Sequence, residues 1–141
     1  MQKRNAPSPC HCINLRRANT AVTTYYDRVL APLGVTVSQY SLLVNLGRMG
    51  PVSVSRLAEK MGLERTTLTR TIRPLLAQNL IEDGAPPGSR DRRLSLTKAG
   101  RERLADGLGL WEEAQKAFER QLGPTRLSML NQCLTALEAL A

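Results

Sequence analysis

The chain has 141 residues, enough for one domain with a real core or one domain with helical arms, and its 20 Lys and Arg against 12 Asp and Glu leave a net charge of +8. That surplus bears on partners and not on fold: nucleic acid, an anionic membrane or an acidic protein. No apolar run approaches the roughly 20 residues of a bilayer span, the amino terminus MQKRNAPSPCHC lacks the apolar stretch of a secretion signal, and three cysteines do not make a disulfide scaffold, so a cytoplasmic protein with no membrane partner is expected.

In chain order, Ser8-Pro9 predicts a helix start, with Ser8 as N-cap and Pro9 at the first helical position. Ile13, Ala18, Val22, Tyr25, Tyr26, Val29 and Leu30 follow at roughly helical spacing, and Pro32 to Gly34 ends the helix. Thr36-Val37-Ser38-Gln39 has the capping-box pattern and opens a second helix carrying Tyr40, Leu43, Leu46 and Met49, which stops at Gly50-Pro51. Ser53 can cap a short third helix with Val54, Leu57, Ala58 and Met61 inward, broken at Gly62. A fourth helix is predicted from Glu64 to Asn79, with Leu68, Ile72, Leu75 and Leu76 as its apolar set.

The character then changes. Leu80-Ile81-Glu82 reads as a short strand, GAPPGSRD as a turn, and Arg93-Leu94-Ser95-Leu96 as the returning strand. Thr97 can cap a long helix with Leu104, Leu108, Trp111, Phe118 and Leu122 on one face. Gly123-Pro124 interrupts it, and a last helix shows a stripe of Leu127, Leu130, Leu134, Leu137 and Leu140. There is no internal repeat.

The fourth helix carries the most informative chemistry. At 100° per residue, Leu68, Ile72 and Leu75 cluster on one side, and Thr66, Thr69, Arg70 and Arg73 fall opposite. Threonine is a mediocre helix former, so an exposed face gains no stability from several of them. What hydroxyls, methyls and guanidinium groups offer together is contact with phosphates, base edges and thymine methyls. A short helix, a break at Gly62 and this helix make a helix-turn-helix. The hairpin that follows, with Arg90, Arg92 and Arg93 near its tip, makes a basic wing suited to a narrow minor groove.

The stretches VSVSRLAEKMGLERTTLTRTIRPLLAQNLIE and RDRRLSLTKAG resemble the third helix, recognition helix and wing of the MarR (multiple antibiotic resistance regulator) family of winged-helix transcription factors. LAPLGVTVSQYSLLVNL is similar to the family's first-to-second helix junction. Arg90, six residues before Leu96, takes the family's wing-arginine position. Two features depart from the pattern. Gly88 stands where the family has an aspartate before that arginine, and Pro74 lies inside the recognition helix, where it removes one backbone bond.

The resemblance implies a mainly α fold with a small β-hairpin wing: a winged helix-turn-helix over residues 36–96, flanked by dimerisation helices over residues 1–34 and 97–141. It implies a homodimer on a pseudo-palindromic double-stranded DNA operator, with no cofactor, acting as a repressor relieved by an effector ligand or by thiol oxidation. The DNA-facing residues are then Ser53, Ser55, Arg65, Thr66, Thr67, Thr69, Arg70, Arg73, Arg90, Arg92 and Arg93.

Cys10-His11-Cys12 leaves three readings open. Cys12 sits where the organic-peroxide sensors of the family carry a reactive cysteine. Tyr26 matches one of the tyrosines near that sulfur, whereas Arg16 stands at the other tyrosine position. Two thiols in the first turn of a helix from Ser8 would be favoured as thiolates by the helix dipole, and Cys10 or Cys133 could resolve an oxidised Cys12. Alternatively Cys10, His11 and Cys12 bind a metal, although on a helix Cys10 and Cys12 point about 200° apart. The third reading is structural cysteines and a small-molecule effector bound elsewhere. An enzyme is not expected: adjacent Cys and His on one helix diverge, and there is no phosphate loop or nucleophile elbow.

Overall fold

The computed structural model describes residues 6–84 and 92–141. Helix α1 spans His11–Leu30, two residues later than Ser8-Pro9 suggests. Ser8 does act at this terminus, but outside the helix: its N–H donates to Asn14 Oδ1 and its carbonyl accepts from Asn14 Nδ2, each at 2.8 Å. The Ser8 hydroxyl accepts from Cys10 N–H at 3.2 Å in a turn ahead of the helix, and Cys10 becomes the N-cap with no side-chain cap bond. A 3-10 turn, Ala31–Leu33, ends the helix at Gly34, whose φ of 69° is the left-handed conformation glycine adopts without a Cβ penalty.

Helix α2, Val37–Met49, starts with the capping box expected of Thr36 and Gln39: the Thr36 hydroxyl accepts from Gln39 N–H at 3.2 Å, and Gln39 Oε1 accepts from Thr36 N–H at 3.0 Å. Asp27 of α1 adds a bond across elements, its Oδ1 accepting from Val37 N–H at 2.7 Å. Strand β1, Val52–Ser53, runs directly into α3, Val54–Met61, where the Ser53 hydroxyl accepts from Arg56 N–H at 3.3 Å. Helix α4 is Arg65–Ala77 and carries Pro74 inside it. Strands β2, Ile81–Asp83, and β3, Arg93–Leu96, precede the two long helices α5, Lys98–Leu122, and α6, Pro124–Glu138. The fourth helix stops short of Asn79 because that residue takes a positive φ of 55°.

The sheet is antiparallel in the order β1-β3-β2. Val52 faces Leu94 and Ser53 faces Arg93 on one side; Ile81 faces Leu96, Glu82 faces Ser95 and Asp83 faces Leu94 on the other. β1 was not legible as a strand, because two residues between a Gly-Pro break and a helix cap carry no periodicity. Tyr40, Leu42, Leu43 and Leu46 of α2, Leu57 of α3, Leu68, Ile72 and Leu75 of α4, and Leu80, Ile81 and Leu94 of the hairpin form the core. Removing these side chains from water drives the packing of α2, α3 and α4 against the sheet.

Helix α5 turns its smallest residues to the core. Its buried residues are Gly100, Gly107 and Ala114, seven apart, and on the apolar face read from the sequence Leu104, Trp111, Phe118 and Leu122 are half-buried while Leu108 is 52% exposed. Small residues face the chain here because the neighbours come too close for larger ones. A Cβ on Gly100 would lie 1.9 Å from Leu80 O, and one on Gly107 would lie 2.3 Å from the Tyr40 ring. Tyr40 donates to Leu104 O at 2.8 Å, and Arg103 donates to Leu33 O, so α5 is tied to both α2 and the turn before it. Tyr26 of α1 donates to Gln115 of α5. Helix α6 buries nothing: Met129, Leu134 and Leu137 are exposed, and so is Leu140 just beyond its end. No single helix among the described residues is long and apolar enough to cross a membrane.

Candidate nucleic-acid interface

The turn between α3 and α4 is closed by Gly62 at φ 63°, with Gly62 N–H donating to Glu59 O at 3.2 Å and Leu63 N–H to Ala58 O at 3.0 Å. These bonds satisfy carbonyls left over at the end of α3 and fix the angle at which α4 departs. Leu68, Ile72 and Leu75 anchor α4 in the core, each no more than 2% exposed. The opposite face is then held outward by packing. Arg65, Thr66, Thr67, Arg70 and Arg73 are exposed, and Thr69 is half-buried.

Hydrogen bonding sorts the threonines. Thr69 donates to Arg65 O at 2.9 Å, and Thr71 to Thr67 O at 3.4 Å, so these hydroxyls satisfy their protons within the helix. Among the described residues, the hydroxyls of Thr66 and Thr67 and the guanidinium groups of Arg65, Arg70 and Arg73 have no side-chain hydrogen bond or ion pair. A row of exposed cations and donors with no internal partner is suited to binding an anionic polymer with readable edges. Ser55 is exposed on α3, and Ser53 is half-buried and already engaged as the cap.

At the wing, Arg93 is exposed on β3. Arg92 is not open to a ligand in the same way: its Nε donates to Asp83 Oδ2 at 2.7 Å across the base of the hairpin. Asp83 was missed by sequence reasoning because it lies nine residues away along the chain, and only the pairing of β2 with β3 brings it close. This pair joins the two strands although Gly88 lacks the acid found in related wings. Arg90 and Gly88 lie outside the described residues.

The cysteines are far from this face in the chain and all three are exposed. Cys12 lies in the first turn of α1, next to exposed His11. Tyr26 is fourteen residues further along the same helix, about 21 Å at 1.5 Å per residue. Cys12 and Tyr26 therefore cannot touch within one chain. Burial, then the nearby charges of Glu119 and Tyr25, push the Tyr26 phenol above its ordinary pKa; burial and Glu112 do the same for Tyr40. Among the described residues no three His, Cys, Asp or Glu side chains are placed to share a metal ion.

Residues 35–93, which contain α2, β1, α3, α4 and β2 and end at the first residue of β3, match the MarR family model. The M. tuberculosis transcriptional regulator MosR is 30% identical, with a TM-score of 0.76 over 94% of this chain and 99% of that one. The chain belongs to the MarR family. A second MosR structure, in complex with DNA, is 32% identical with a TM-score of 0.76, covering 92% of this chain and 98% of that one. A probable transcriptional regulator from Pseudomonas aeruginosa is 26% identical with a TM-score of 0.80, covering 92% of this chain and 97% of that one. No curated protein matches the chain in sequence. Within this MarR chain α3, the turn at Gly62 and α4 form the helix-turn-helix, and the β2–β3 hairpin is the wing.

Proposed function

We propose that the chain is a homodimeric, sequence-specific DNA-binding transcriptional regulator, acting as a repressor released by an effector. The observation that carries this is the exposed Thr66, Arg70 and Arg73 face of α4, set opposite the buried Leu68, Ile72 and Leu75. The MosR structure in complex with DNA supports the same partner. Arg70 lies near the middle of α4, before Pro74, which supports a role in gripping a guanine edge with two hydrogen bonds. Thr66 and Thr67 supply hydroxyls to phosphates or bases, and Arg93 and Arg90 the wing contact.

Dimerisation follows from the surfaces α1, α5 and α6 leave uncovered. Leu15, Val22 and Tyr25 on α1, Leu108 on α5, and Met129, Leu134 and Leu137 on α6 are all at least 36% exposed. So much apolar surface on helices outside the core is suited to a second copy. Two recognition helices would then address half-sites about one DNA turn apart.

For release, the structure offers a groove of about 350 Å³ between α2 and α5, with Tyr40, Leu104, Leu108 and Trp111 as apolar walls and Arg48 and Arg101 as cations. This groove favours a small-molecule effector. Thiol oxidation at Cys12 is the second reading, favoured by the exposure of both Cys10 and Cys12 at the start of α1.

Replacing Arg70 with alanine tests the DNA reading. Loss of the guanine grip should lower discrimination between the operator and random DNA by about 1–3 kcal/mol, or roughly 5- to 150-fold. Discrimination equal to wild type would remove Arg70 from base reading.

A further inference from the structure

A second cationic feature lies beside the recognition helix. Met49, Pro51, Val52, Ser53, Arg56 and Arg93 line a recess of about 370 Å³ where α3 meets the sheet. Two elements deliver the arginines. Arg93 is held on β3 opposite Ser53 by the strand register. Arg56 stands three residues into α3, counted from the cap at Ser53. Both are exposed, and among the described residues neither guanidinium has a hydrogen bond or ion pair. Among the described residues no acidic side chain lines the recess.

The neighbouring Arg92 shows what a compensated arginine looks like at this edge, because it pairs with Asp83. Arg56 and Arg93 instead leave two like charges facing one cleft. An anion between them would turn repulsion into two charge-assisted contacts. The recess lies between α3, which leads into the recognition helix, and β3, which carries the wing. A duplex meeting both elements would bring its backbone to this junction.

We propose that Arg56 and Arg93 form a clamp for one backbone phosphodiester of the bound DNA, fixing the register of the protein on the duplex without reading a base. This rests on the reading of the chain as a DNA-binding regulator. Arg56 carries no signal for such a role in the sequence, since an isolated arginine on the outer face of a short helix looks like any solvated residue.

The test measures binding of the full chain to its own upstream DNA and to a shuffled duplex over a range of salt. Arg56→Gln, Arg93→Gln, the double variant and Arg56→Lys are compared, each first shown to melt like wild type. Arg56→Gln should weaken binding to both duplexes by the same factor and lower the slope of log K against log salt by about 2, one phosphate contact for each protomer of the dimer. Arg56→Lys should keep the slope. The double variant should lose less than the product of the two single losses, because either loss already opens the clamp. An unchanged slope for Arg56→Gln would overturn the proposal and leave a solvated arginine. A loss confined to the upstream duplex would overturn it in favour of base reading, and fully multiplicative losses would place the two residues on separate phosphates. If wild type itself binds neither duplex, the DNA reading fails first and takes the clamp with it.

Discussion

Gly107 offers a quantitative test of how α5 is seated on the DNA-binding half. Helix interiors favour Ala over Gly by about 1 kcal/mol, so Gly107→Ala taken alone would stabilise α5. The surroundings oppose it. The new methyl carbon would lie 2.3 Å and 2.9 Å from the Tyr40 ring and 2.8 Å from Leu33 Cδ1. The Tyr40 ring cannot easily yield, since it is only 2% exposed and its hydroxyl donates to Leu104 O at 2.8 Å. Overpacking of this kind costs about 1–3 kcal/mol, and swinging the ring away would cost about 1 more through the lost hydrogen bond. The net expectation is a loss of about 1–3 kcal/mol. Gly109 is the control: it sits two residues on in the same helix, and a Cβ there would meet no atom within 4 Å, so Gly109→Ala should stabilise by up to about 1 kcal/mol. Thermal melts at one fixed protein concentration compare them, because a dimer's transition moves with concentration. The midpoints should differ by several degrees, with Gly107→Ala below wild type and Gly109→Ala at or above it. Equal stability of the two variants would refute the close seating of Tyr40 on α5.

Three other outcomes are specific. Asp83→Asn removes a negative charge near the proposed DNA face, which by charge alone should tighten binding; if the Arg92 pair positions the wing, affinity should instead fall by up to about fivefold, the scale of an exposed ion pair, and a rise in affinity would dismiss that role. Tyr26 and Tyr40 have phenols pushed above the ordinary value of 10.0, so the folded state holds these protons more tightly than the unfolded chain; their contribution to stability should be fully present below about pH 10 and lost as pH rises through the raised values, and phenolate absorbance of Tyr26→Phe and Tyr40→Phe against wild type would contradict this if the missing steps lay at the ordinary value. Cys12→Ser should bind DNA as wild type does and, on the oxidation reading, keep binding in peroxide; release of this variant by peroxide would discard Cys12 as the sensor.

Much of the winged helix was legible because its signals are local. The Thr36 capping box, the Ser53 and Thr97 caps and the left-handed Gly62 all depend on residues within four positions of one another. The apolar face of α4 likewise repeats within one helix, and its burial leaves the Thr and Arg face outward. What escaped the sequence depends on contacts between distant segments. The inward face of α5 is set by how near Leu80 and Tyr40 approach, so glycines occupy it and Leu108 does not. The start of α1 moved because Asn14 folds back on Ser8. β1 exists through its partner β3, and Asp83 and Arg56 gain meaning from groups brought to them by the hairpin.

The most direct test of the central claim is the affinity of the wild-type chain for the DNA upstream of its own gene and for a shuffled duplex, measured as a function of salt. A regulator of this kind should prefer the upstream duplex by about 10³ or more, with log K falling steeply and linearly as log salt rises. Equal affinity for both duplexes, or binding indifferent to salt, would contradict it.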